Sequence, residues 1–348
     1  MFSLERAGRW LLESGIQEAS GGVARYYRTD SQRNAPVSTE ITGYACAALL
    51  YLARRTGLPD YRAASLRAGR FIAECAWDAR AGALPFEWPA GASPRAYFFD
   101  CGIVARALAA LWRDAGDAGF RDVARACAAS MLGDFRDGAF WHPVLELPAK
   151  APVPCENRWS RRPGCYQLKA ALAWLETGYE NAYCEHLAGA LADHNTFLPG
   201  ADEPALVVDR LHAYLYFLEG LLPAVSRQEC REAMAAGIPR VAELLRTHRG
   251  VLERSDVYAQ LLRIRLYADR LGIAALDAAA AEEEAGELAS FQIASRDRRT
   301  DGAVAFGRKG GELLPYANPV STAFCIQALE MWRDYCAGRF TPDWRELI

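Results

Sequence analysis

The chain has little that would tie it to nucleic acid, a membrane or a metal. Its 40 Lys and Arg nearly balance 43 Asp and Glu, leaving a formal net charge of −3, so no basic field draws it to a polyanion. No apolar run reaches the ~20 residues of a membrane span. The start, MFSLERAGRWLLESG, breaks its apolar residues with charge every few positions, unlike a signal peptide. Neither nucleic acid nor a membrane is therefore expected as a partner, and a cytoplasmic location is. Histidine and methionine are scarce, 5 and 4 in 348 residues. Ten cysteines occur, but no Cys-x-x-Cys. Cys46, Cys75, Cys127, Cys184, Cys230 and Cys325 fall in helical, mostly apolar stretches and read as reduced, buried thiols. The nearest Cys–His approach, Cys184-Glu185-His186, is too close along a helix for a good ligand pair. No metal and no organic cofactor is implied.

What the chain does have is a repeat. Asp301–Trp332 opens on an Asp-Gly turn, continues in a short extended piece (Ala303–Phe306) and passes through a Gly- and Pro-containing loop. It then starts an apolar helix at Asn318-Pro319, where Asn suits the N-cap and Pro the first helical position. Six imperfect copies exist. Their extended pieces are Gly21–Tyr27, Gly82–Trp88, Asp137–His142, Asn195–Pro199, Gly250–Arg254 and Ala303–Phe306. Their mostly apolar helices are Thr39–Ala53, Asp100–Trp112, Cys165–Leu175, Asp209–Leu222, Asp256–Tyr267 and the helix after Asn318. Between them lie helices with a charged face: Tyr61–Trp77, Phe120–Leu132, Tyr179–His194, one starting at the capping-box pattern Ser226–Glu229, and Asp277–Phe291. Pro239 should kink or split the fourth of these. The first helix, in residues 3–15, has no apolar helix before it, and the last apolar helix has no partner after it, so the two can close a ring. Polar end caps, which an open solenoid needs, are missing. The expected fold is all-α: one domain over 1–348, a closed (α/α)6 toroid of six hairpins with short β pieces at the N-terminal face of the inner helices.

All six loops then gather at one mouth of the ring, where six helix N-termini favour an anionic ligand. Glu40 and Asp100 occupy similar places at the mouths of the first two inner helices and could serve as general acid and base. His212, one turn into an inner helix with Tyr216 at i+4, could carry a proton near neutral pH. The plain alternative for Asp100, Asp209 and Asp256 is N-capping; for Glu40 it is an ion pair with a loop arginine, and for His212 a bond to a neighbouring helix. Trp88 and Trp141 hold matching positions as a sugar-stacking floor, together with Tyr316, or as lids on the core. Arg254 and Arg308 could clamp a carboxylate, or pair with Glu253 and Glu312. Tyr44, Glu87, His142, Tyr166, Asp209, Glu253 and Asp256 complete the candidate ligand-binding set.

The segments Ser38-Thr39-Glu40-Ile41-Thr42-Gly43-Tyr44, Phe99-Asp100-Cys101-Gly102, His212-Ala213-Tyr214 and Pro319–Leu329, set in this six-hairpin pattern, resemble bacterial members of the six-hairpin glycosidase-like superfamily. The resemblance covers nearly the whole chain. It implies a carbohydrate ligand and, in most branches, hydrolase, epimerase or lyase chemistry. Other toroids fit less well: a lanthionine cyclase needs a Cys/Cys-His zinc set, and a terpene cyclase of this shape an Asp-rich motif. The expected activity is hydrolysis of an acidic or uronate-containing glycan by the Glu40/Asp100 pair. A non-catalytic glycan-binding toroid and a sugar epimerase are the alternatives. An epimerase works with two histidines across the ring, and only His142 could join His212.

Overall fold

A computed structural model describes residues 2–197 and 203–348. Among them are twelve α-helices: α1 (Leu4–Glu13), α2 (Thr39–Thr56), α3 (Pro59–Arg70), α4 (Phe98–Ala115), α5 (Ala118–Gly133), α6 (Gln167–Thr177), α7 (Glu180–Phe197), α8 (Pro204–Leu221), α9 (Gln228–Thr247), α10 (Ser255–Arg270), α11 (Ala278–Ser290) and α12 (Pro319–Cys336). The even-numbered helices form an inner ring. Each packs on the next, and α12 packs on α2. The odd-numbered helices lie outside, and α1 covers the seam between α12 and α2, so the expected closure is present.

Composition explains the two layers. Inner helices are buried nearly all round; α8, for example, buries an unbroken run from Leu211 to Leu221. Such a helix is stable only with neighbours on every side. Outer α3 buries Tyr61, Ala64, Ser65, Ala68 and Gly69 on one stripe and turns its arginines to solvent. The inner helix starts are capped where the sequence allows. Asn318 Oδ1 accepts from the Ser321 N–H at 3.0 Å with Pro319 next in line, and Ser38 Oγ accepts from the Ile41 N–H, each stabilising by about 1 kcal/mol. The α9 start departs from expectation: Arg227, not Ser226, is at the N-cap and no side chain caps it, while Pro239 sits within an uninterrupted helix. Tertiary packing of α9 against α8 outweighs the local proline cost. Asn195–Phe197, expected to be extended, is the last turn of α7; residues 198–199 of that stretch lie outside the described residues.

The two ends of the ring differ. Inner-to-outer connections are mostly tight turns. At Gly57 the chain leaves α2 with φ 71° and the amide bonds back to the Ala53 carbonyl, a left-handed exit that favours glycine. Outer-to-inner connections are long and carry short antiparallel strand pairs. Val37–Ser38 pairs with Glu87–Trp88, Arg95–Tyr97 with Val144–Glu146, Glu253–Arg254 with Gly307–Arg308, and Tyr27–Arg28 with Tyr316–Ala317. They tie the loops of neighbouring hairpins together at the inner-helix N-termini. Gly102 matters for closeness rather than for φ: a Cβ there would lie 2.4 Å from the Ala170 carbonyl, so α4 and α6 could not approach as they do.

All ten cysteines are free; Cys46, Cys127, Cys230 and Cys325 are buried as expected, whereas Cys75 and Cys184 lie on the exposed faces of their helices. No described helix is long and apolar enough to cross a membrane. Among the described residues no three His, Cys, Asp or Glu side chains gather as a metal-ligand group.

Candidate active site

Glu40 and Asp100 meet at the mouth where the loops converge. Glu40 is the second residue of α2 and Asp100 the third of α4, and α2 packs directly on α4. Neither caps its helix: Ser38 caps α2, and α4 has no side-chain cap. Asp100 is 5% exposed, and its Oδ2 has no hydrogen-bond partner among the described residues. Burial pushes the Asp100 carboxyl well above the usual carboxylate range, and the negative charge of Glu40 pushes it further. Glu40 keeps some accessible surface but lies deep in the mouth; burial raises it to about 7, and Arg25 opposes the rise. A buried carboxyl that faces a second carboxylate retains its proton near neutral pH. Asp100, the more strongly raised, is the one that holds it.

A tyrosine pair forms the floor beside them. Tyr44 of α2 and Tyr216 of α8 are hydrogen-bonded across the ring, oxygen to oxygen, at 3.0 Å. Glu40 adds to the effect of burial in raising both hydroxyls above their ordinary pKa. The Tyr216 ring lies 4.7 Å from Phe99 and 4.4 Å from His212. Tyr166 is 1% exposed, donates to the Arg162 carbonyl at 3.1 Å and packs edge-on against Trp159. Trp159 also meets His212 edge-on. These contacts run from Asp100, through Phe99, Tyr166 and Tyr216, to His212.

The His212 side is a charge network. His212 Nδ1 lies 2.7 Å from Gln260 Oε1 and 3.6 Å from Asp256 Oδ2. Burial lowers the imidazole to about 4, against the pull of Asp256 and with the push of Arg254, so the ring is neutral at physiological pH. Arg254 donates to both Asp256 oxygens, at 3.0 and 2.6 Å, and also to Asp209. Burial opposes the charge on Arg254, yet Asp256 and Asp209 keep its pKa above the ordinary value. Asp209 and Asp256 are thus partners of Arg254, and capping explains neither.

Other expected residues stand elsewhere. Arg254 was expected to clamp a ligand carboxylate; its guanidinium is engaged by two protein carboxylates. Arg308 faces Glu253, directly opposite in the strand pair, at 3.2 and 2.9 Å, and reaches Glu287 of α11 at 2.8 Å. Glu253 also accepts from the Tyr258 hydroxyl. That cluster joins a strand to the outer layer. Trp141 is 8% exposed and wedged among Phe98, Trp174 and His186, a lid on the core rather than a stacking platform. His142 packs on exposed Phe140. Trp88 is half-buried, edge-on to Phe71. Glu87 pairs with Arg25 at 3.0 Å on the rim, and Tyr316 packs against Tyr26 and Arg28 there. Sequence patterning does not single out Gln260: a polar residue within an apolar helix was the available signal.

No family model matches the sequence, and no curated protein matches it. Solved structures do. A sugar epimerase from a ruminal bacterium superposes with a TM-score of 0.71 over 93% of this chain and 97% of its own, at 10% identity. The unsaturated glucuronyl hydrolase of Bacillus sp. GL1 covers 99% of both chains at 0.64 and 14% identity. An inactive variant of the α-1,6-mannanase of Salegentibacter sp. HEL1_6, in complex with α-1,6-mannotriose, covers 93% and 97% at 0.56 and 10% identity. The chain has the six-hairpin glycosidase-like fold. At such identities the likeness speaks for the six-hairpin toroid alone; what this one does depends on its own mouth.

Proposed function

We propose that this six-hairpin toroid is a carbohydrate-active enzyme, a glycosidase in which Asp100 is the general acid and Glu40 the general base. One observation carries the reading: two carboxyls share one mouth, where the charge of Glu40 adds to burial in raising Asp100, and Asp100 Oδ2 is buried without a hydrogen-bond partner among the described residues. Glycoside cleavage needs one carboxyl that holds a proton for the leaving oxygen and one that can take a proton from water or attack. The compared proteins, an epimerase of sugars, a hydrolase responsible for glycosaminoglycan degradation and a mannanase bound to mannotriose, support a saccharide ligand. Half-buried Trp159 supplies an aromatic face that suits one.

The expectation of an acidic glycan rested on Arg254 and Arg308, and both are engaged. With Asp100 protonated, the mouth still sets Glu40, Asp209 and Asp256 against Arg25 and Arg254, so another carboxylate would meet net negative charge. A neutral saccharide fits this balance better. The test is release of reducing ends from neutral and uronate-containing oligosaccharides by the wild type, Glu40→Gln and Asp100→Asn. Cleavage of a neutral saccharide, lost in both variants, is expected. Cleavage indifferent to both substitutions would remove the assignment.

His212 favours a second reading, epimerisation or isomerisation at a sugar carbon, because it is neutral and has a fixed ring. The other histidines have other neighbours: His142 packs on Phe140, His186 on Phe98 and His194 on Phe217, and His248 ends α9. Solvent deuterium entering a reducing sugar would establish this chemistry in place of hydrolysis.

A further inference from the structure

We infer that Gln260 and Asp256 are positioning residues for His212: they hold its imidazole as the Nδ1–H tautomer and leave Nε2 as the basic nitrogen. This deepens the reading of His212 as a proton carrier at the proposed site, although the tautomer itself can be measured without turnover.

Two oxygens face one nitrogen. Gln260 Oε1 is 2.7 Å from His212 Nδ1, and Asp256 Oδ2 is 3.6 Å from the same atom. An amide can be turned end for end, and the opposite orientation would present an N–H to Nδ1 and favour the other tautomer. Asp256 decides between them. Its carboxylate is held by Arg254 at two points; burial opposes its charge, but Arg254 and then His212 keep its pKa below the ordinary value. An ionised carboxylate beside an unprotonated ring nitrogen would set negative charge against a lone pair. With the proton on Nδ1, Gln260 Oε1 accepts it and the Asp256 carboxylate, at 3.6 Å, attracts it without a hydrogen bond. Nε2 then carries the lone pair, and it meets no hydrogen-bonding group among the described residues.

The same arrangement keeps the ring uncharged. The charged and titratable groups around it are Asp209 on its own helix, Arg254 from the strand before α10 and Asp256 from α10, with the Tyr216 ring alongside. Arg254 bonds to both aspartates, so their charge is directed to the guanidinium. Gln260, 0% exposed, accepts as a carboxylate would but brings no charge to draw a second proton. In a histidine dyad with a carboxylate in that place, the imidazole charges readily; with an amide it orients and stays neutral.

The test is the ring's own spectrum. Long-range 1H–15N correlation of the histidine rings, with His212 assigned by its absence in His212→Phe, reports tautomer and charge directly. The wild type should show Nδ1–H and no protonation between about pH 5 and 8. Gln260→Leu should populate both tautomers, and Gln260→Glu should move the titration up by about one to three pH units. Thermal denaturation of each variant checks the fold. Where a saccharide substrate is turned over, Gln260→Leu should lower kcat with KM nearly unchanged, and Gln260→Glu should shift the pH profile. An Nε2–H wild type, or a tautomer and titration unchanged in both Gln260 variants, would overturn the inference. Absence of turnover with the expected spectra would remove the catalytic reading of the site and leave the positioning intact.

Discussion

The two ends of the ring both bury charge, and they treat it oppositely. At the loop-free end, Lys169, Glu219 and Arg263 are each 0% exposed. Lys169 and Arg263 flank Glu219 at 3.0 and 2.6 Å, and Arg263 also donates to Gln327 at 3.0 Å. The segment Trp344–Ile348 lies across this end. Lys169 Nζ donates to the Ile348 carbonyl, and Arg106 donates to the carbonyls of Trp344 and Leu347 at 3.1 Å. Burial opposes the charge on Glu219, but Arg263 and Lys169 keep its pKa below the ordinary value. Burial pulls Lys169 down to about 7 while Glu219 pulls it back; with a carboxylate at 3.0 Å the charged lysine is the state the geometry favours. At the loop end, burial and the charge of Glu40 raise Asp100, burial raises Glu40, and Asp100 Oδ2 has no hydrogen-bond partner among the described residues. Compensated charge in the first place holds helices together. Two carboxyls buried without a matching cation in the second are a cost to stability of the kind that gathers at functional sites.

Substitutions should separate the ends most sharply. Asp100→Asn and Glu40→Gln are each expected to lower turnover by about 10²- to 10⁴-fold, with denaturation midpoints equal to or above the wild type because a buried repulsion is removed. Glu219→Gln should do the reverse. It leaves two buried cations facing a neutral amide and should cost about 3–5 kcal/mol of stability, measured by denaturant unfolding, with saccharide affinity retained by the folded fraction. A stable Glu219→Gln protein, or an unfolded Asp100→Asn, would erase the contrast.

Acidity gives a finer test. Glu40 has a pKa of about 7 in the folded chain against an ordinary 4.5. Between those values only the folded state holds the proton, so the contribution of Glu40 to stability falls as pH rises through that window and is level above it. Midpoints measured across the window should decline in the wild type more than in Glu40→Gln. The rate should rise as Glu40 ionises through about pH 7 and fall once Asp100 loses its proton at higher pH. The smallest effect is expected from Arg308→Ala: about 1–2 kcal/mol of stability from lost charged hydrogen bonds, and no change in saccharide binding, measured by calorimetry.

The ring was legible because its signals are local and repeated: apolar and charged helices in alternation, Gly57 after α2, Asn318-Pro319 before α12. Glu40 and Asp100 were legible as a pair because each lies within the first turn of an inner helix, and adjacent inner helices must touch. That Arg254 and Arg308 could pair with protein carboxylates was legible; which carboxylates was less so, since Asp209 and Glu253 are 45 and 55 residues away in sequence. For Trp141 the core lid and the stacking floor both stayed open, since burial among Phe98, Trp174 and His186 is set by three other segments. Lys169, Glu219 and Arg263 gave a signal that went unused: charge inside apolar inner helices, where only a partner makes it tolerable.

The most direct measurement is the titration of the two carboxyls themselves. Carbon-13 NMR of the protein labelled at its Asp and Glu carboxyl groups, with the two signals assigned through Glu40→Gln and Asp100→Asn, reads each protonation state. The account expects a Glu40 midpoint near 7, an Asp100 midpoint above it, and a fall of the Asp100 midpoint when Glu40 is replaced. Both groups fully ionised by about pH 5, as ordinary carboxylates are, with no effect of one on the other, would contradict it.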